Sequence, residues 1–143
     1  MATITQKYIL VCDEVRQEIN GKFIILGAYT PDMTIPQIPF ALPSLTFFIG
    51  LESDRPGNFG MRFSLEHLES GQVIAQGMGN IGFQKPGVGP LPLSLKYVLL
   101  HNAGTYVISL NIDGQKDPIT SSFSVILLPQ QQPGLVPGFP QMR

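Results

Sequence analysis

One cysteine and two histidines have the widest chemical repertoire in this chain, and their positions restrict what they can do. Cys12 becomes a nucleophile only as a thiolate with a base in hydrogen-bond reach, and His67 and His101 are the only imidazoles available. It sits between Val11 and Asp13 at the end of the run Tyr8-Ile9-Leu10-Val11, a setting in which cysteine packs as a small apolar side chain. No third residue completes a Cys-His relay. Metal ligation fares no better: there is no paired histidine spacing and no second cysteine, and Asn111-Ile112-Asp113-Gly114 lacks the remaining ligands of a calcium loop. The close carboxylate pairs are Asp13-Glu14 and Glu66/Glu69. Neighbours along a strand point to opposite faces, so Asp13 and Glu14 diverge unless a bulge intervenes. The expectation is a non-enzyme without cofactor or metal.

Gly77-Met78-Gly79-Asn80-Ile81-Gly82 satisfies the spacing G-x-G-x-x-G. A dinucleotide site needs a helix to start there, so that main-chain amides and the helix dipole meet the pyrophosphate. Phe83-Gln84-Lys85-Pro86-Gly87-Val88-Gly89-Pro90 cannot form that helix, and no acidic residue lies between Glu69 and Asp113 to hold a ribose. Lys85 and Lys96 stand in that acid-free span among glycines that could expose amides to an anion. An alternative function therefore follows: binding of a small anionic ligand or nucleotide by a Gly77–Pro92 loop with these two lysines. The competing explanation is a tight edge with two solvated lysines. Nucleic acid is disfavoured, because nine basic residues against ten acidic ones, with no basic run, leave little footprint for phosphates.

Charged residues make up 13% of the 143-residue chain and the net charge is −1. An ordinary soluble domain carries about 25%. A charge near zero favours association, so part of the surface is expected to meet a protein partner or another copy. A lone cysteine excludes an intramolecular disulfide framework. The apolar run at Tyr8–Cys12 is too short for a signal peptide or a membrane span, which points to the cytoplasm and away from membranes.

Periodicity supplies the elements. Tyr106, Ile108, Leu110 and Ile112 alternate with Val107, Ser109 and Asn111, the period of a half-buried strand. Asp113-Gly114 turns the chain, and Phe123, Val125 and Leu127 resume the alternation. Earlier, Tyr8–Cys12 is a first strand that continues or bends at Asp13-Glu14, and Asn20-Gly21 marks a hairpin. Lys22–Ala28 follows, apolar on both faces as a central strand would be. Pro31, Pro36, Pro39 and Pro43 make the next segment an edge strand or crossover. Leu45–Glu52, Phe59–Leu65, Gln72–Ala75 and Leu93–Leu99 are further strands, and Gly77–Pro92 reads as loop or irregular edge. About eight strands and no helix give an all-β, single antiparallel β-sandwich over residues 1–128. Residues 129–143 form an extended Pro/Gln/Gly-rich arm whose Leu135, Val136, Phe139 and Met142 are candidate partner contacts.

Two resemblances refine this. Gly104-Thr105-Tyr106 entering a strand is similar to the late strands of immunoglobulin-like and fibronectin-like sandwiches, where a tyrosine ring packs inward and its hydroxyl ties to backbone. The opening half resembles a family of small uncharacterised bacterial and phage proteins. The shared features are Cys12-Asp13-Glu14-Val15-Arg16, Asn20-Gly21-Lys22, Gly27-Ala28-Tyr29 and the stretch from Pro36 to Leu45. That resemblance implies a β-sandwich in a bacterial or phage setting and assigns no chemistry. Asp13 and Arg16 flank the hairpin, either as an Arg16–carboxylate pair or as contacts to a partner. The function expected is an interaction or structural module that self-associates or decorates a larger assembly, with a virion location if phage-encoded.

Overall fold

The computed structural model describes residues 2–30 and 32–129. The candidate contacts Leu135, Val136, Phe139 and Met142 lie outside the described residues. Nine strands are formed: β1 (Ile4–Gln17), β2 (Phe23–Ala28), β3 (Asp32–Ile35), β4 (Phe40–Ser53), β5 (Gly57–His67), β6 (Gln72–Phe83), β7 (Gly87–Leu100), β8 (Gly104–Ile112) and β9 (Ile119–Leu127). Sheet 1 has the order β2-β1-β4-β7, and sheet 2 the order β3-β9-β8-β5-β6. Every ladder is antiparallel except β3 with β9, which is parallel. The fold is thus all-β in two mostly antiparallel sheets, as expected, with nine strands against the expected eight or so and one parallel pair, β3 with β9, that the antiparallel reading did not include.

The core follows from alternation. Phe47, Ile49 and Leu51 on β4 meet Tyr106, Ile108, Leu110 and Ile112 on β8, with Met61 and Leu65 on β5 completing the interior. Met33 and Ile35 of β3 are almost fully buried, so this short edge strand closes one side of the sandwich. The stretch Gly77–Pro92 is not a loop: it is the end of β6, a short turn and the start of β7. Gly77 makes room for packing, since a Cβ there would stand 2.7 Å from the Phe63 ring.

Sheet 1 has a second apolar layer outside. Phe48 points away from Phe47 and the core, and its ring lies 6.0 Å from that of Tyr8 and 5.0 Å from that of Phe23. Phe48 pairs with Leu10 on β1, whereas Phe23 pairs with Gln17. On a straight ladder that offset of seven residues would separate the two positions by about 23 Å at the usual strand rise. The β1–β2 hairpin must therefore curl back over the outer face of sheet 1. This corrects the reading of Lys22–Ala28 as a central strand: β2 is an edge strand, with Phe23 turned onto Phe48.

Candidate functional site

The curl coincides with a built corner. Gly27 has φ of 66°, a left-handed conformation costly for other residues, and a Cβ there would overlap the Asp13 carboxylate. Asp13 Oδ1 accepts a hydrogen bond from the Tyr29 hydroxyl at 2.8 Å. The Asp13 carbonyl accepts from Ser44 Oγ at 2.8 Å and Thr46 Oγ1 at 3.3 Å, and the Tyr29 N–H donates to the Val11 carbonyl at 2.8 Å. The Cys-Asp, Gly-x-Tyr and Leu-Pro-Ser segments, far apart in the chain, thus converge on one point. Beside it opens a cleft of about 350 Å³ whose walls include Met33, Ile35, Phe40 and Leu42, with Asp13, Tyr29, Thr34 and Ser44 as its polar residues.

Burial, and then the hydrogen bond to Asp13, push the Tyr29 phenol up to about 12. The folded chain holds this proton more tightly than the unfolded chain, whose phenol titrates near 10. Its contribution is complete below the unfolded value and is lost as pH rises through the folded one. Urea unfolding between about pH 10 and 12 is therefore expected to show a stability loss of about 1 kcal/mol, discounted for the partial exposure of the pair, that Tyr29→Phe lacks. Equal slopes for the two proteins would refute the Tyr29–Asp13 link.

The other residues singled out by sequence do not converge. Cys12 is fully buried on β1, and its thiol donates to the Thr46 carbonyl with a 3.6 Å sulfur–oxygen separation. Burial, with the Asp13 carboxylate adding to it, pushes the thiol pKa up and keeps it protonated. His67 lies on β5 in the other sheet and His101 in the link from β7 to β8, so the Cys-His nucleophile has no structural basis. Arg16 pairs with Glu14 at 3.4 Å on the surface, while Asp13 is engaged by Tyr29. Lys85 lies in the turn before β7 and Lys96 well along that strand, on the order of 30 Å away. The two lysines cannot grip one anion. Among the described residues, no three His, Cys, Asp or Glu side chains gather as metal ligands.

A polar cluster that sequence reasoning missed joins the β5–β6 turn to the start of β8. His67, only 5% exposed, has Nδ1 2.7 Å from Ser70 Oγ and Nε2 2.8 Å from the Ala103 carbonyl. Glu69 Oε1 lies 3.2 Å from Nε2 and accepts from the Thr105 N–H at 3.0 Å. Main-chain donors at Glu69 and Thr105 hold the Glu69 carboxyl below its ordinary value. Serine, histidine and carboxylate are the parts of a hydrolytic relay. Here Nδ1 also takes the Ser70 N–H at 3.2 Å and Ser70 Oγ takes the Gln72 N–H at 3.2 Å, so the set closes on its own turn. It is a latch. Next to it the Tyr106 ring stacks on Phe123 at 5.7 Å, and its hydroxyl donates to the Asn102 carbonyl at 2.6 Å.

The chain belongs to a family of unknown function, DUF6941, whose sequence profile matches residues 7–121. No curated protein matches it. Among solved structures, the C-terminal domain of wzt is similar at 12% identity and a TM-score of 0.50, covering 90% of this chain and 75% of that one. A β-glucosidase of Erythrobacter marinus, at 10% identity and a TM-score of 0.50, shares the fold over 87% of this chain and 16% of its own. The alkylpurine DNA glycosylase AlkC of Pseudomonas fluorescens, at 10% identity and a TM-score of 0.49, matches over 86% of this chain. The chain spans 30% of the glycosylase and 16% of the glucosidase, and at these identities the likeness concerns the fold alone. No helix among the described residues is long and apolar enough to cross a membrane.

Proposed function

We propose that this DUF6941 chain is a non-enzymatic, immunoglobulin-like interaction module that uses the outer face of sheet 1 to dock on another protein in the cytoplasm or on a phage particle. The immunoglobulin-like reading draws on a three-strand set β1-β4-β7 opposed by β9-β8-β5-β6, with a buried tyrosine on β8 tying its hydroxyl to backbone. The functional reading is carried by one observation: that outer face is apolar across three strands. Cross-strand register aligns Tyr8 with Gly50 and Pro90, and Leu10 with Phe48 and Pro92. Tyr8 and Leu10 remain 42% and 40% exposed, and the neighbouring hairpin adds half-exposed Ile24 and Leu26. Exposed apolar positions aligned across neighbouring strands in this way favour a contact surface, whereas scattered exposed leucines do not. The bent hairpin, held by Asp13, Gly27 and Tyr29, shapes its rim.

Leu10→Lys with Leu26→Lys tests the reading, because both side chains are partly solvated and lysine at 26 stands across the ladder from Glu14. Affinity capture from native-host extract with the wild-type chain should retain a stoichiometric protein that the double variant loses, at an unchanged unfolding midpoint. Identical captures from both proteins would sink the proposal.

A further inference from the structure

Among the described residues each sheet of the sandwich ends in two open strands, and three of the four are blunted. The β7 edge carries Pro90 and Pro92, which have no N–H to offer, and at Tyr97 it takes a left-handed φ of 55° opposite Pro43, which the ladder skips. β2 has six residues and bends at Gly27, and β3 has only four. The fourth edge, β6, has twelve residues and no proline. No charged residue occurs from Ser70 to Gln84. Its pairing with β5 is irregular near Ile74 and then runs unbroken from Ala75 to Phe83. Among the described residues no strand covers its other side. Long, flat, uncharged edges are templates for another strand, and soluble proteins protect or occupy them.

We infer that β6 pairs antiparallel with β6 of a second copy, joining two five-stranded sheets into one across a two-fold axis. This surface lies in sheet 2 and does not depend on what docks on sheet 1. The strip supports a copy of itself as occupant for three reasons. Its lack of charge offers nothing to a charged partner, and the net charge of −1 puts no long-range repulsion between copies. An axis at Gly79, the midpoint of the regular stretch, sets Met78 of each copy against Asn80 of the other, as an isologous contact requires. Met78 is 79% exposed beside a hollow of about 440 Å³ lined by Gly60, Arg62, Asn80 and Asp113, whose two charges are of opposite sign.

Light scattering on the full chain at micromolar concentration reads the outcome. The wild type should have the mass of two 15.6 kDa chains. Met78→Lys with Asn80→Lys sets lysine against lysine twice and should halve that mass, with the far-ultraviolet circular dichroism of the fold retained. Amide exchange within 75–83 should slow as wild-type concentration rises. A wild type of single-chain mass into the sub-millimolar range overturns the inference, as does a dimer that survives both lysines. A dimer dissociated only by Leu10→Lys with Leu26→Lys overturns the β6 assignment and leaves the sheet 1 docking face standing.

Discussion

Tyr106→Ala is expected to lower unfolding stability by about 4 kcal/mol, within the range for truncating a large buried aromatic. Tyr106 is fully buried, packs between His67 at 5.0 Å and Phe123 at 5.7 Å, and fixes the entry to β8 through the Asn102 carbonyl. Removing the ring leaves a cavity in the middle of the interior and releases the latch beside it. Tyr106→Phe keeps the ring and deletes only the hydroxyl, so its cost should fall to about 1–2 kcal/mol. Denaturant unfolding of the two variants separates packing from the hydrogen bond. Equal losses would mean that the hydroxyl tie, and not ring burial, dominates.

Gly27→Ala should have the second largest effect and should act locally. The left-handed φ alone costs a side-chain-bearing residue about 1–2 kcal/mol. The added Cβ would also overlap the Asp13 carboxylate and displace the acceptor of the Tyr29 hydroxyl. The hairpin should then lift from Phe48 while the interior of the sandwich stays packed. Cys12, fully buried on β1 just before the bend, reports this directly. A thiol reagent should label Gly27→Ala many times faster than the wild type under native conditions. Unchanged labelling together with wild-type stability would dismiss the corner as the device that holds the hairpin down.

Much of this architecture was legible because its cause is local. Alternation from Tyr106 to Ile112 needs only the two-residue period of a pleated strand, and Asn20-Gly21 or Asp113-Gly114 needs only turn chemistry. Gly77–Pro92 misled because glycine and proline are ordinarily breakers. Their tolerance here has tertiary causes: the Phe63 ring packs against Gly77, and Pro90 and Pro92 sit on an edge strand. The double-sided apolarity of β2 looked like a central position for the same kind of reason, since the layer receiving Phe23 is formed only when the hairpin folds back. At the corner, Asp13 and Tyr29 both stood in the motifs that carry the resemblance, but nothing local in the chain says that they meet. The His67 latch was invisible, because its receptor at Ala103 is brought near only by the pairing of β5 with β8.

The parallel pairing of β3 with β9 joins the first third of the chain to the last described strand. While the ribosome is still making β8, Met33 and Ile35 have no neighbour to bond with, and one side of the interior stands open to water. The β3 side of sheet 2 is thus completed only once residues up to Leu127 have been made.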